Sequence, residues 1–308
     1  MIHHSTLRTL IVAICALTLG LSSCCRGPEH CSAGCTPDDQ EDPYILRAGN
    51  LRVVGILRDY DPSTGIISPS WRDRDAIGIT AISGGVALDT NVKYTTMRSL
   101  GNHFVAATRG IRLGESESCD LIAYYPYSEA LQEGNLLPVS TTSQLYLSRI
   151  KAGVTADAEA VLELHPVLSP LLIKLSGVEV DLRGAKLELK GVAKSGKVNV
   201  TDGTVIISEE KGNIDTPLSV SGDNVGTAFL RLIPGQSLKG MTLRIVTSQY
   251  VFSYLITQDI ELKSGESNII ELKLKADDGT ASGTVTTADG SILPMEDVII
   301  DAGTIHVD

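Results

Sequence analysis

The chain has 308 residues, with 26 Lys and Arg against 37 Asp and Glu and a formal net charge of -11. So acidic a body argues against nucleic acid, whose binding needs a basic stripe, and against flat electrostatic docking on anionic lipid. Aromatic residues make up 4%, with one tryptophan, Trp71, and three phenylalanines. The core must be built mainly from Val, Ile and Leu, which suits β-structure.

Arg8 precedes an apolar run from Leu10 to Leu21 that is too short to span a bilayer as a helix. The run ends in Leu21-Ser22-Ser23-Cys24. A basic residue, an apolar run and small residues in that order have the layout of a secretory signal peptide. The ending resembles the bacterial lipobox. That implies cleavage just before Cys24, a diacylglycerol thioether on Cys24, and residues 1–23 as a lipoprotein signal. An ordinary secreted protein with cysteines near its start is the plainer alternative. Acyl chains on one residue would hold a soluble domain on a membrane without a spanning helix. No second apolar run is long enough to cross. Losing residues 1–23 removes Arg8 and no acid, so the charge moves from -11 to -12.

The six cysteines are unevenly placed. Cys15 leaves with the signal. Cys25, Cys31 and Cys35 share a short polar stretch with His30, and Cys119 stands alone. The Cys31-x3-Cys35 spacing lacks the second pair that a zinc site needs, so no metal is assigned. A local Cys31–Cys35 disulfide is an option in an oxidising compartment. Cys119 begins an apolar stretch and is expected to be a small buried side chain. Gly27, Pro28, Gly34 and Pro37, followed by the acidic run Asp38 to Asp42, give no material for a core. This stretch is expected to be an extended tether that lifts the folded part off the membrane.

From about residue 43 short apolar stretches are cut by Gly, Asn, Asp, Ser and Pro. Leu51 to Leu57 is the first strong strand, followed by Ala76 to Ile82 and Leu121 to Tyr127. Further strands are expected at Leu171 to Leu175, Ala185 to Leu189, Lys197 to Val200, Thr204 to Ser208 and Thr227 to Leu232. The last are Met241 to Val246, Tyr250 to Ile256 and Ile269 to Leu274. Leu187 with Leu189, and Leu243 with Ile245, alternate with charged residues at the two-residue period of a half-buried strand. Turn signals fall at Gly196, Asp202-Gly203, Lys211-Gly212, Gly222-Asp223 and Gly265. Asp202-Gly203 between two apolar runs is a hairpin signal. Thr142 to Ile150 could form a helical turn or two. Regular short strands with turns between them indicate an all-β fold of sandwich type.

Pro166 and Pro170 mark a break near residues 165–170. The reading is two tandem β-sandwich domains, 48–165 and 166–275, after a signal (1–23) and a lipidated N-terminal segment (24–47). A different tail, 276–308, closes the chain. Within it, Asp297 to Val307 has strong strand propensity and no obvious partner nearby in sequence.

Catalytic signatures are missing. There is no Gly-x-Ser-x-Gly elbow, HExxH, P-loop or GxGxxG near His103, His165 or His306. Asp73, Asp75, Glu115, Glu117 and Asp120 could supply paired carboxylates for a glycosidase, but such groupings arise by chance in an acidic protein. His165 is expected to be a hydrogen-bonded residue between the domains. Tyr124, Tyr125 and Tyr127 could stack on sugars, or alternate between core and surface. Neither an enzyme nor a cofactor is implied.

One set of motifs resembles a family. Trp71 precedes Asp75-x-Ile77-Gly78-Ile79, Asn91-Val92-Lys93-Tyr94 precedes Phe104, and Asp120 to Tyr127 follows. His165 with Leu168-Ser169 and Leu171, then Ile233-Pro234-Gly235-Gln236, then Leu262 to Leu274, complete the order. Leu164 stands where the family commonly has Phe, and Pro170 is a further departure. From Trp71 to Leu274 the chain resembles the fimbrillin-like lipoproteins of Bacteroidales, the type V pilins and their accessory subunits. The resemblance implies transthyretin-like sandwiches and a subunit that travels as a lipoprotein. A protease then cuts after an arginine near the first strand, removing lipid and strand together. The groove left behind takes a C-terminal strand from another subunit. Here Arg47, in Leu46-Arg47-Ala48, is the best cut site, with Arg52 and Arg58 as rivals. Val298, Ile299, Ile300, Ile305 and Val307 are the donor-strand candidates. Partners would be other pilin subunits, and the location the outer membrane or cell surface. The resemblance implies a fimbrial subunit or an anchor that keeps its lipid; a surface glycan-binding lipoprotein is the alternative from another class.

Overall fold

Alternation of apolar and polar residues governs the first half of the chain. Arg52–Leu57 (β1) buries Val53 and Leu57, and Glu159–Pro166 (β11) buries Ala160, Leu162 and Leu164 while its glutamates face out. The computed structural model describes residues 51–114, 117–131 and 134–275, together with the backbone of five later strands. Every regular element among them is a strand. Between β1 and β11 lie Asp59–Asp61 (β2), Gly65–Ile67 (β3), Ala76–Ser83 (β4), Val86–Thr95 (β5), His103–Ala106 (β6) and Ser118–Tyr125 (β7). Leu136–Ser140 (β8), Tyr146–Ser148 (β9) and Lys151–Thr155 (β10) complete this half. Its large sheet has the order β10-β7-β4-β5-β6-β1-β11-β9. Because β9 also pairs with β7 at Tyr124↔Leu147 and Tyr125↔Tyr146, all of these strands except β10 form a closed ring. Leu51, Val53, Ile77, Ile79, Phe104, Leu121, Leu162 and Leu164 share the core inside it.

The second half contains Ser169–Val178 (β12), Lys186–Ala193 (β13), Ser195–Asn199 (β14), Val205–Ile207 (β15), Lys211–Pro217 (β16) and Ser219–Val220 (β17). Val225–Leu232 (β18), Thr242–Val246 (β19), Val251–Leu255 (β20) and Glu266–Lys275 (β21) follow. The backbone then forms Thr280–Ser282 (β22), Val285–Thr287 (β23), Gly290–Ser291 (β24), Val298–Ile300 (β25) and Thr304–Val307 (β26). One sheet runs β17-β18-β12-β21-β24 and another β16-β13-β19-β20-β26-β22. Ile173 and Leu175 of the first, Leu187, Leu189, Leu243 and Ile245 of the second, and Phe252 and Ile270 lie in one apolar core. Alternation there reads true: Leu187, Leu189, Leu243 and Ile245 are fully buried.

The two halves share a construction that periodicity does not announce. In each, the opening strand pairs in parallel with the closing one: β1 with β11, from Arg52↔Glu159 to Leu57↔Leu164, and β12 with β21, from Leu171↔Asn268 to Val178↔Lys275. A third cluster, with Tyr124, Val139, Val167, Leu168, Val198 and Ile233, joins them, and the described residues of both halves lie in one compact unit. The three-stranded sheet β15-β14-β8 also takes strands from both halves.

Several local expectations change. Thr142 to Ile150 holds strand β9 rather than a helical turn, because Tyr146 and Ser148 are pinned between β11 and β7. The break expected near residues 165–170 is present but short: Pro166 ends β11, Val167 N donates to Leu145 O at 2.8 Å, and β12 starts at Ser169. Pro170 lies one place before the first β12–β21 pair, Leu171↔Asn268, where its missing N–H removes nothing from that ladder. Gly196 and Gly212 lie inside strands, not turns. At Gly196 a Cβ would come 2.7 Å from Ile206 O, so only glycine admits the β15 backbone so close. Asp202-Gly203 does close a hairpin, β14–β15, with Gly203 at φ +78.

Candidate assembly site: the first strand, the sheet edges and the C-terminal strands

The family-like motif residues meet around β1. Trp71 Nε1 donates to Gly55 O at 2.7 Å, and a Cβ on Gly55 would sit 2.8 Å from Phe104 Cε2 and 3.1 Å from Trp71 Cζ2. The indole therefore lies against bare backbone. Trp71 packs edge-on to Phe104 and to Tyr125, at 4.8 and 5.1 Å between centroids. Asp75 accepts from Arg72 N at 2.7 Å and from Tyr125 OH at 3.0 Å. Tyr124 OH donates to Asn91 Oδ1 at 2.6 Å across the backbone of Gly78. Burial pushes the Tyr124 and Tyr125 phenols up to about 12. These rings serve packing. Tyr124 is buried and Trp71 and Tyr125 are half-buried, so they do not form an exposed sugar platform.

β1 is held on both flanks, by β11 along its length and by β6 at Val53 and Val54. Leu51 N donates to Ile111 O, and Arg58 N to Leu164 O. The rival cut-site arginines are tied into this frame. Arg52 Nη2 donates to Asp157 O, and the Arg58 guanidinium reaches Ser68 Oγ at 2.7 Å and Glu163 Oε1 at 2.9 Å. Just after β1, buried Asp59 receives Arg231 Nη2 on both oxygens, at 3.0 and 3.1 Å, and Tyr146 OH at 2.7 Å. Burial, with the Asp59 contact adding to it, raises the Tyr146 phenol to about 12. This lock joins the end of β1 to β18 in the second half, and sequence reading missed it because its members are far apart in the chain.

The tail does not form one long strand. Val298, Ile299 and Ile300 lie in β25, which pairs with β23. Ile305 and Val307 lie in β26, which joins β20 at Phe252↔Val307 and β22 at Ala281↔Ile305. Before that addition β20 is the outer strand of the β16-β13-β19-β20 series. Cys24 and Arg47 lie outside the described residues, as do Cys31 and Cys35. Cys119 is a buried free thiol, as its apolar surroundings suggested.

Elsewhere on the surface, the β4–β5 hairpin exposes Val86 (68%) and Leu88 (54%), and edge strand β15 exposes Ile206 (55%). His165 departs from expectation. Its buried Nδ1 has no hydrogen-bond partner among the described residues, and its Nε2 lies 4.0 Å from Glu163. Burial lowers its pKa, Arg149 and Arg58 act in the same direction, and Glu163 opposes them. Among the described residues no cluster of His, Cys, Asp and Glu has the form of a metal site.

The closing strand β26 lies between β20 and β22 in an all-β chain, and comparison with known proteins gives that chain its family. The profile of the fimbrillin-like family matches residues 64–289, and the chain belongs to that family. It is 27% identical over 253 residues to a proposed fimbrium subunit, Fim1C, of Bacteroides uniformis, covering 72% of this chain and 79% of that protein. Its fold is that of a proposed cell adhesion protein from Bacteroides ovatus (TM-score 0.59, 17% identity, 83% of this chain and 100% of that one). A second such protein, from Bacteroides uniformis, gives TM-score 0.55 at 21% identity over 74% of this chain and 95% of that one. The chain is thus a fimbrial protein of the cell surface rather than an enzyme, and it works in assembly with other subunits or an anchor.

Proposed function

We propose that the chain is a structural subunit of a surface fimbria that assembles by strand exchange, and that it serves cell adhesion. It reaches the outer membrane as a lipoprotein on Cys24, and a protease cuts after Arg47. The segment containing Val298, Ile299, Ile300, Ile305 and Val307 then completes a sheet of a neighbouring subunit. Head-to-tail repetition gives an open filament. The observation that carries this reading is the position of β26 on β20: a C-terminal strand that pairs with a sheet edge in its own chain has the hydrogen-bonding capacity to pair with an edge in another. Arg47 is favoured over Arg52 and Arg58 because both rivals are bonded into the β1 frame, which a protease would have to open.

The parallel pairing of first and last strand in each half supports a division into two tandem transthyretin-like sandwiches, 48–165 and 166–275. The N-terminal mass of the native protein tests the processing step. A start at Ala48 fits a polymerising subunit. Retained acyl-Cys24 instead assigns the chain the role of lipidated anchor.

A further inference from the structure

The rim of the first half and two turns of the second enclose a cleft of about 460 Å³. Arg149, just after β9, and His165 on β11 line it from one half. Asp202 of the β14–β15 turn and Glu266 at the start of β21 line it from the other. Leu147 and Ile150 add apolar surface, and Ile150 is 52% exposed. The cleft has a fixed wall, since a Cβ on Gly203 would come 3.1 Å from Leu147 Cδ2, so the turn rests directly on β9.

The charges in this cleft are incompletely matched. Arg149 makes no ion pair or hydrogen bond with another described residue, although the chain carries a net charge of -11. Asp202 accepts from Thr204 N at 2.7 Å and Asn199 Nδ2 at 3.2 Å, and Glu266 lies 3.4 Å from Lys263 Nζ. A carboxylate has about four lone-pair sites, so both acids keep accepting capacity. Arg149 and Asp202 are exposed and Glu266 half-buried, so a ligand here replaces water rather than a protein partner, and the guanidinium fork suits a ligand carboxylate in bidentate geometry. Spare carboxylate oxygens suit ligand hydroxyls, and aliphatic side chains suit the C–H face of a sugar ring. The volume lies in the usual range for small-molecule sites, about 300–1,000 Å³.

The geometry points to a binding site for an acidic monosaccharide unit, with its carboxylate on Arg149 and its hydroxyls on Asp202 and Glu266. A simple anion has no hydroxyls to donate to the two acids, whereas a sugar acid offers them. A neutral sugar leaves Arg149 unmatched. The site uses neither Cys24, Arg47 nor the tail, so its failure and that of the assembly reading are separate results.

The test is titration of the whole purified chain, by calorimetry and NMR, with N-acetylneuraminate, glucuronate, glucose and acetate. At least one sugar acid should bind at least about tenfold more tightly than glucose or acetate, and the tighter of the two identifies the source. Arg149→Ala should weaken that binding by at least about tenfold, and Arg149→Lys should restore part of it, because a point charge replaces the fork. Arg149 has no ion-pair or hydrogen-bond partner among the described residues, so the variant should unfold at the wild-type denaturant midpoint. The bound carboxylate should also raise the titration midpoint of His165. No binding by either acid, equal binding by glucose or acetate, or unchanged binding in Arg149→Ala would overturn the proposal.

Discussion

Replacing Arg231 by methionine tests how the two halves are joined. Asp59 is 7% exposed, and its carboxylate is held by Arg231 Nη2 at 3.0 and 3.1 Å and by Tyr146 OH at 2.7 Å. Breaking a fully buried pair by removing one partner costs about 3–5 kcal/mol, because the remaining charge stays desolvated. The Arg231 side chain is 24% exposed, so water partly reaches the site, and Tyr146 still donates one hydrogen bond. Both effects reduce the expected cost to about 2–3 kcal/mol. Asp59→Ala leaves a guanidinium that can turn towards solvent and should cost less, about 1–2 kcal/mol. The double variant should therefore be less damaged than the sum of the two, with a coupling of about 1–2 kcal/mol. Urea unfolding of the four proteins measures this directly. A loss below about 0.5 kcal/mol for Arg231→Met, in the range of ordinary surface changes, would refute the view that this contact ties the end of β1 to the second half.

Gly78→Ala places a Cβ 2.3 Å from Tyr124 Cε1 and 2.7 Å from Asn91 Oδ1. It should destabilise by about 1–3 kcal/mol, as overpacking does, with partial rescue by Tyr124→Leu, and denaturant midpoints check it. His165 has a folded pKa below its ordinary 6.5. The unfolded chain therefore binds its proton first, so stability falls as pH drops below about 6.5 and levels off once the folded-state pKa is passed. His165→Gln should flatten that part of the stability profile, and an unchanged slope would place the titration elsewhere.

How much of this was legible in the sequence depends on the range of the interaction. Leu187 and Leu189 face the core because a period of two is a local property, and the β14–β15 hairpin was readable because Asp202-Gly203 carries its own turn geometry. The strict alternation in Glu159–Pro166 is equally local, although Pro166 at its end masks it as a breaker. The parallel β1–β11 and β12–β21 ladders were not readable, since parallel pairing leaves no mark on either strand alone. The Asp59–Tyr146–Arg231 lock was hidden for the same reason. In isolation Asp59 reads as one more acid of an acidic chain, and only tertiary packing buries it. Trp71, Gly78, Asn91 and Tyr124 were recognised as a family-like order of residues, and their physical content became visible in contact: an indole on bare Gly55 backbone, and a phenol crossing Gly78 to an amide. His165 was expected to be hydrogen-bonded, and its buried Nδ1 lacks a described partner, which no linear pattern could reveal.

The central claim is that the C-terminal strand completes a neighbouring molecule. A photoactivatable residue at Ile305, in isotopically light subunits assembled with an equal amount of heavy ones, tests it most directly. Mass spectrometry of cross-linked peptides from the filaments should find light–heavy pairs as often as light–light pairs from the labelled tail. Light–light pairs alone would mean that the tail never leaves its own chain, and would contradict the account.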